Sequence, residues 1–265
     1  MHFTIRSREG LAIRGDVDAP LSPRALIVLV HGFKGFKDWG FFPWLAERLC
    51  DEGYAVCRFN MSRSGIGENA ETFERLDLFA EDTYSGQLAD LRDVVSYAQS
   101  EFPELPTFLL GHSRGGGVAL LGARDVPRLA GVITWSAIAR TDRWDEAAKR
   151  KWREDGSREE VNSRTRQVMR MSTAILEDVE MHRERLDVLA AARGLEVPLL
   201  VIHGGRDESV PAGEGQQIAA QGRDVSLVVI GAASHTYNAI HPLIHVPFEL
   251  SLAAEIAVRF IGAYA

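Results

Sequence analysis

The stretch Ala25-Leu26-Ile27-Val28-Leu29-Val30 contains no polar residue, and a strand of that kind must be covered on both of its faces. Largely apolar runs recur down the chain at residues 54–59, 107–110, 131–135, 198–202 and 225–230. Between them lie segments with helical spacing, at 41–51, 82–100, 115–123, 213–221 and 248–261. The first carries Phe42, Leu45 and Leu49 on one side, and the second Leu88, Leu91, Val94 and Val95. Alternation of this type calls for an α/β chain with a mostly parallel central sheet and helices on both faces. Upstream, residues 3–6 and 11–16 alternate around Glu9-Gly10 and read as an antiparallel hairpin at the sheet edge. In such sheets ligands meet the protein at the carboxyl ends of the strands.

Hydrophobic residues make up 46% of the 265, enough to bury the core of one large domain with a small insertion. A formal net charge of -7 argues against a nucleic-acid partner, which selects a basic surface. Residues 1–10 lack the apolar centre of a signal peptide, and no apolar run is long enough to span a bilayer. The expectation is a cytoplasmic protein with no membrane partner; the oligomeric state is not legible. Cys50 falls late in a helix and Cys57 inside a strand, the pattern of two free thiols in a reducing compartment.

Residues 137–196 break the alternation. The stretch 140–170 holds about ten basic and seven acidic side chains, with Trp144 and Trp152 eight residues apart on a helical face. Val168, Met171, Ile175 and Val179 form a second apolar stripe, and Asp187 caps a short helix that Gly194 ends. The expectation is a core of residues 1–136 and 197–265 with a helical cap inserted at 137–196. Ordinary crossover helices are the alternative. If the stripe faces the sheet, Trp144, Trp152, Met171 and Ile175 roof an apolar substrate pocket; a solvated, salt-bridged helix face is the plainer reading of so mixed a charge run.

Gly111-His112-Ser113-Arg114-Gly115 follows a predicted strand and opens a predicted helix. The G-x-S-x-G spacing matters only in that setting, where a sharp turn lifts the serine hydroxyl clear of the sheet beside a helix N-terminus. A serine needs a base. Of the later histidines, His182, His203, His235, His241 and His245, only His235 lies in a loop just past a late strand. His203 ends its own strand, with an acid already placed after it. His241 and His245 have helical metal spacing, but Pro242 and Pro247 break the helix and no third ligand is evident, so no metal is expected. The acid should follow a strand between serine and histidine, and Asp207 does; Glu208 beside it should point away, and capping the next helix is the competing role for Asp207. An oxyanion hole needs two backbone N–H donors, here Arg114 after the serine and Phe33 in His31-Gly32-Phe33-Lys34-Gly35.

At these residues the chain resembles the α/β-hydrolase superfamily throughout its length. The resemblance rests on His31-Gly32-Phe33, the Ser113 pentapeptide, the run from His203 through Asp207 to Pro211, and Ala233-Ser234-His235. Within it the chain is similar to bacterial cinnamoyl and feruloyl esterases, and more distantly to dienelactone hydrolases and the catalytic domain of prolyl oligopeptidases. Serine rather than cysteine holds the nucleophile position, a departure from dienelactone hydrolases, and no propeller-sized N-terminal domain is expected. The resemblance implies an α/β-hydrolase fold with a helical cap between the sixth strand and the acid-bearing strand. The residues imply a cofactor-free serine esterase with Ser113, Asp207 and His235 as its triad and a small-molecule ester of short or aromatic acyl group as its substrate. The same machinery would serve an amide-cleaving peptidase, an acyltransferase or a perhydrolase. A non-catalytic binding protein on this scaffold usually loses a triad member, and none is missing.

Overall fold

The computed structural model describes residues 1–69 and 72–265. Its strands are β1 (His2–Arg6), β2 (Ala12–Asp18), β3 (Leu26–Val30), β4 (Ala55–Phe59), β5 (Thr107–His112), β6 (Leu129–Trp135), β7 (Ser157–Val161), β8 (Val168–Ser172), β9 (Leu199–Gly204) and β10 (Val225–Ile230). The helices are α1 (Phe42–Asp51), α2 (Leu76–Ala80), α3 (Tyr84–Glu101), α4 (Arg114–Gly122), α5 (Glu146–Asp155), α6 (Ala174–Met181), α7 (Val188–Arg193), α8 (Ala212–Ala219) and α9 (Phe248–Tyr264). Eight strands form one sheet in the order β1-β2-β4-β3-β5-β6-β9-β10. β1 and β2 run antiparallel at one edge, and the six strands from β4 to β10 are parallel.

The pleat of the buried strands explains the layers. Along β3, Val28 and Val30 face one side with Leu109, Val132 and Val201, under Leu88, Leu91 and Val94 of α3 and Val118 and Leu121 of α4. Ile27 and Leu29 face the other with Leu110, Ile133 and Leu200, under Leu45 and Leu49 of α1 and Leu250 and Ala254 of α9. Every second residue therefore serves the opposite core, so a strand without polar residues was required. Each such side chain contributes about 1.5–3 kcal/mol of burial. The expected strands and helices of the core are all present, with ends shifted by up to three residues.

The segment 137–196 departs from expectation. It was expected to be helical, yet β7 and β8 form an antiparallel hairpin within it. Val168, Met171, Ile175 and Val179 sit at helical intervals, but the burial pattern over β8 alternates: Met169 and Met171 are buried, Val168 and Arg170 exposed. Period two governs the first part of the stripe, and only Ile175 and Val179, buried in α6, share a helix. Nor is Trp144 on a helix: Asp145 caps α5 by accepting the Ala148 amide, so the helix begins at Glu146. Asp187 caps α7 through the Ala190 amide as its sequence position suggests.

Several side-chain contacts fasten this segment to the rest, those to residues 34, 73 and 85 among them. The Gln167 side chain accepts from Phe73 N at 3.1 Å and donates to Phe73 O at 2.9 Å. Asp178 accepts the Ser85 amide at 3.0 Å, and Lys34 pairs with Glu160 at 3.1 Å. Cys50 and Cys57 are both free thiols. Among the described residues no helix is long and apolar enough to cross a membrane.

Candidate active site

β5 ends at His112 and α4 begins at Arg114, leaving Ser113 alone to make the turn, with φ 58° and ψ -124°. A side chain pays about 1–3 kcal/mol for so sparsely populated a conformation, and the surroundings hold it there. The Ser113 amide donates to Trp135 O at 2.8 Å, and its carbonyl accepts from Gly116 N at 3.0 Å. The turn is tight enough to demand its glycines. A Cβ on Gly111 would fall 2.2 Å from Gly115 O, and one on Gly115 2.2 Å from Val30 O. The G-x-S-x-G spacing is thus a packing requirement of strand against helix.

His235, in the loop after β10, reaches Ser113 from the neighbouring part of the sheet. Its Nε2 accepts from the Ser113 hydroxyl at 2.9 Å, and its Nδ1–H donates to Asp207 Oδ2 at 2.7 Å. A carboxylate can only accept, so Asp207 fixes the tautomer that leaves Nε2 free to take a proton. The other oxygen of Asp207 accepts the amides of Ser209 and Val210 at 2.9 and 2.8 Å. Burial by itself would raise the Asp207 pKa, but the donors from His203, His235 and Val210 outweigh it and hold the carboxyl well below its usual range. Asp207 therefore orders its own loop as well as facing the histidine. Glu208 is exposed.

Two further histidines support the site from beneath. His203 is fully buried; its Nε2–H donates to Val210 O at 2.9 Å and lies 3.5 Å from Asp207 Oδ2. His112 donates its Nε2–H to the carbonyl of His235 at 2.9 Å, and burial pushes its pKa down to about 3, so the ring is neutral. The sequence offered both as residues flanking motifs, with no signal of what they hold.

The proposed oxyanion donors, Phe33 N and Arg114 N, face no backbone acceptor among the described residues. Arg114 N is free because it opens a helix. The loop of Phe33 is set by His31, whose Nδ1–H donates to Gly32 O at 2.9 Å while its Nε2 accepts Met61 N at 3.1 Å. Burial pushes His31 down to about 4, keeping it neutral and able to do both. The two donor residues also touch through their side chains. The Arg114 guanidinium lies over the Phe33 ring at 4.2 Å and pairs with Asp82 at 3.3 Å.

Two clefts open on either side of the serine. One, of about 500 Å³, is lined by Trp39, Phe42, Arg164, Ile240 and His241. The second, of about 520 Å³, is lined by Tyr84, Arg143, Trp144, Arg158, Met171 and Val210. Both reach Phe33, Ser113 and His235. Of the four residues read as a pocket roof, Trp144 and Met171 line the second cleft, and Trp152 and Ile175 line neither. Trp152 is 2% exposed and stands edge-on behind Trp144 at 5.1 Å, with its indole N–H on Met171 O at 3.2 Å. Ile175 is equally buried in the core beneath. Helical spacing puts the two tryptophans on one face and Met171 with Ile175 on a second stripe; the folded segment instead divides the four into lining and support. Tyr84, Trp39 and Ile240 carried no sequence signal, since each reaches a cleft only through packing of distant segments. His241 accepts the Gly40 amide at 2.8 Å, and no group of metal-ligating side chains occurs among the described residues.

A family profile described as serine aminopeptidase, S33, matches residues 21–154, just over half of the chain. A monoglyceride lipase homolog of monkeypox virus is 30% identical over 121 residues, 45% of this chain and 41% of its own length. The monoacylglycerol lipase of Mycolicibacterium smegmatis is 34% identical over 120 residues, 43% of this chain and 39% of its own. The chain thus spans about two fifths of the length of the curated relatives it matches. Among solved structures, Est1E from Butyrivibrio proteoclasticus with ferulic acid bound superposes with a TM-score of 0.73, covering 99% of this chain and 98% of Est1E at 21% identity. The parallel sheet, the strained serine turn and this profile agree: the chain belongs to the serine aminopeptidase S33 family of the α/β-hydrolase superfamily.

Proposed function

We propose that the protein hydrolyses carboxylic esters through an acyl-enzyme on Ser113, with His235 as base, Asp207 as supporting acid and the amides of Phe33 and Arg114 as the oxyanion hole. The observation that carries this reading is the unbroken chain from the Ser113 hydroxyl through His235 to Asp207, at 2.9 and 2.7 Å, at the junction of the two clefts. As Ser113 Oγ attacks the ester carbonyl, its proton passes to His235 Nε2, and Asp207 stabilises the imidazolium. Negative charge gathers on the former carbonyl oxygen, where two unpaired amides donate to it. His235 then protonates the leaving alcohol, and water repeats the sequence to release the acid.

In this reading residues 137–196 are a cap, whose hairpin and the loop before α5 wall the second cleft. The relatives named as monoglyceride and monoacylglycerol lipases support an ester as substrate. An aminopeptidase would need a carboxylate facing the substrate ammonium. Among the described lining residues of both clefts the one carboxylate is Glu160, already paired with Lys34, which favours the ester. The test is labelling with a fluorophosphonate probe followed by peptide mapping, beside turnover of aryl and alkyl esters of graded acyl length and their amide analogues. Label on Ser113 with ester turnover supports the reading. Label on another serine, or turnover of amides alone, overturns it.

A further inference from the structure

The second cleft is basic, and one of its lining residues carries a buried hydroxyl that no group among the described residues satisfies. Tyr84 is 1% exposed at the start of α3, and its hydroxyl has no hydrogen-bond partner among the described residues. A buried donor is rarely left in that state without a ligand or water to satisfy it. Its ring lies under the Arg114 guanidinium, 5.1 Å from the centroid. Arg143, in the same lining, is held from behind: its Nη1 donates to both Glu214 oxygens at 2.8 and 2.7 Å, and Glu214 in turn accepts Ala139 N at 2.7 Å. Its Nη2 also reaches Ser209 O at 3.5 Å, and a guanidinium held in this way keeps its remaining N–H groups preorganised for a further acceptor.

The charges around them do not balance. Lys34 and Arg158 share one carboxylate, Glu160, at 3.1 and 3.7 Å. Asp82, the partner of Arg114, is pushed up by burial to about 7, so near neutrality it is only partly ionised. A net positive cleft in a chain of net charge -7 is a local feature that the overall composition does not supply.

We infer that the second cleft binds a carboxylate carried by the substrate, with the Tyr84 hydroxyl and the Arg143 guanidinium as its donors. This rests on the ester reading of Ser113 for its meaning in turnover, and makes the substrate an acidic ester. The carboxylate could belong to the acyl half, as in a dicarboxylic acid monoester, or to the alcohol half, and the experiment separates the two.

The acyl arm compares monomethyl adipate with methyl adipamate, in which an amide replaces the acid. The alcohol arm compares the butyrate esters of 4-hydroxybenzoate and 4-hydroxybenzamide. In one arm kcat/KM should favour the carboxylate by roughly tenfold or more, the value of a charge-assisted hydrogen bond. Tyr84→Phe and Arg143→Gln should each erase most of that preference by raising KM for the carboxylate well beyond any change for the amide partner. Calorimetric titration of Ser113→Ala with the same pairs reads the site without turnover. Equal binding of acid and amide to Ser113→Ala overturns the inference even if neutral esters are hydrolysed normally. Preferential binding of the acid upholds the site even if no ester is turned over, in which case the ester reading has failed instead. Tyr84→Phe removes a hydroxyl that bonds to nothing in the described fold, so it decides the matter should Arg143→Gln unfold.

Discussion

A Cβ placed on Gly32 would stand 2.8 Å from the Cβ of Ser113 and 3.3 Å from its hydroxyl oxygen. The loop after β3 thus lies directly against the serine turn, and so close an approach is open to it only because residue 32 has no side chain. Gly32→Ala should push the two apart while leaving the sheet untouched. The expected result is a kcat lower by about a hundredfold to a thousandfold, as for loss of one oxyanion donor, with an unchanged circular dichroism spectrum. A kcat within about twofold of wild type would show that Phe33 N does not take part.

Asp207→Asn preserves an acceptor for the amides of Ser209 and Val210 but no longer dictates the His235 tautomer. Turnover should fall by about ten-thousandfold, with little loss of thermal stability. Asp207→Ala should cost the same activity and, in addition, about 1–3 kcal/mol in urea denaturation for the unpaired loop amides. Near-full activity in a folded Asp207→Asn protein would move the acid elsewhere, with Glu208 next to be tried.

Asp90 is 3% exposed on α3 and accepts the Ser62 amide at 2.7 Å. Burial raises its pKa from the ordinary 3.8 to about 6 despite that bond. The folded state therefore holds the proton more tightly than the unfolded chain, and ionisation costs stability as pH rises from about 4 to about 6. Asn does not titrate. The stability of Asp90→Asn relative to wild type should improve across that window, by up to about 3 kcal/mol, and stay level above it. Urea titrations at intervals of pH would measure this, and a difference independent of pH would contradict the buried, raised carboxyl.

Trp144 and Trp152 are in contact but should separate by assay. Trp152 is buried with its N–H bonded to Met171 O, so Trp152→Ala should lower stability by about 3–5 kcal/mol. Trp144 lines the second cleft and packs only partly buried against the core. Trp144→Ala should alter KM and acyl preference several-fold, on the order of one lost apolar contact, with little change in melting temperature. The opposite pattern would mean that Trp144 is the structural residue of the pair.

The core of this fold was legible because its signals are local. A strand covered on both faces must be apolar at every position, and Ala25–Val30 shows it in six letters. A serine raised on a strand-to-helix turn needs glycines where backbones cross, so Gly111 and Gly115 mark Ser113 before any coordinates exist. Chain order then restricted the companions of Ser113 to residues following later strands, and Asp207 and His235 lie within hydrogen-bond reach of one another in the folded chain. Residues 137–196 behaved differently. Val168, Met171, Ile175 and Val179 fit a helical spacing by count, and only the pairing of β8 with β7 put Met169 and Met171 on one face of a strand. That choice depends on a partner strand and on the core beneath, neither of which a periodicity contains. The same holds for Tyr84, an unremarked residue at a helix start until packing buries its hydroxyl beside Arg114 and the cleft. Sequence determined what had to be buried and where the backbone had to turn sharply; tertiary structure decided which side chains face the substrate, because that is a property of surfaces brought together from distant parts of the chain.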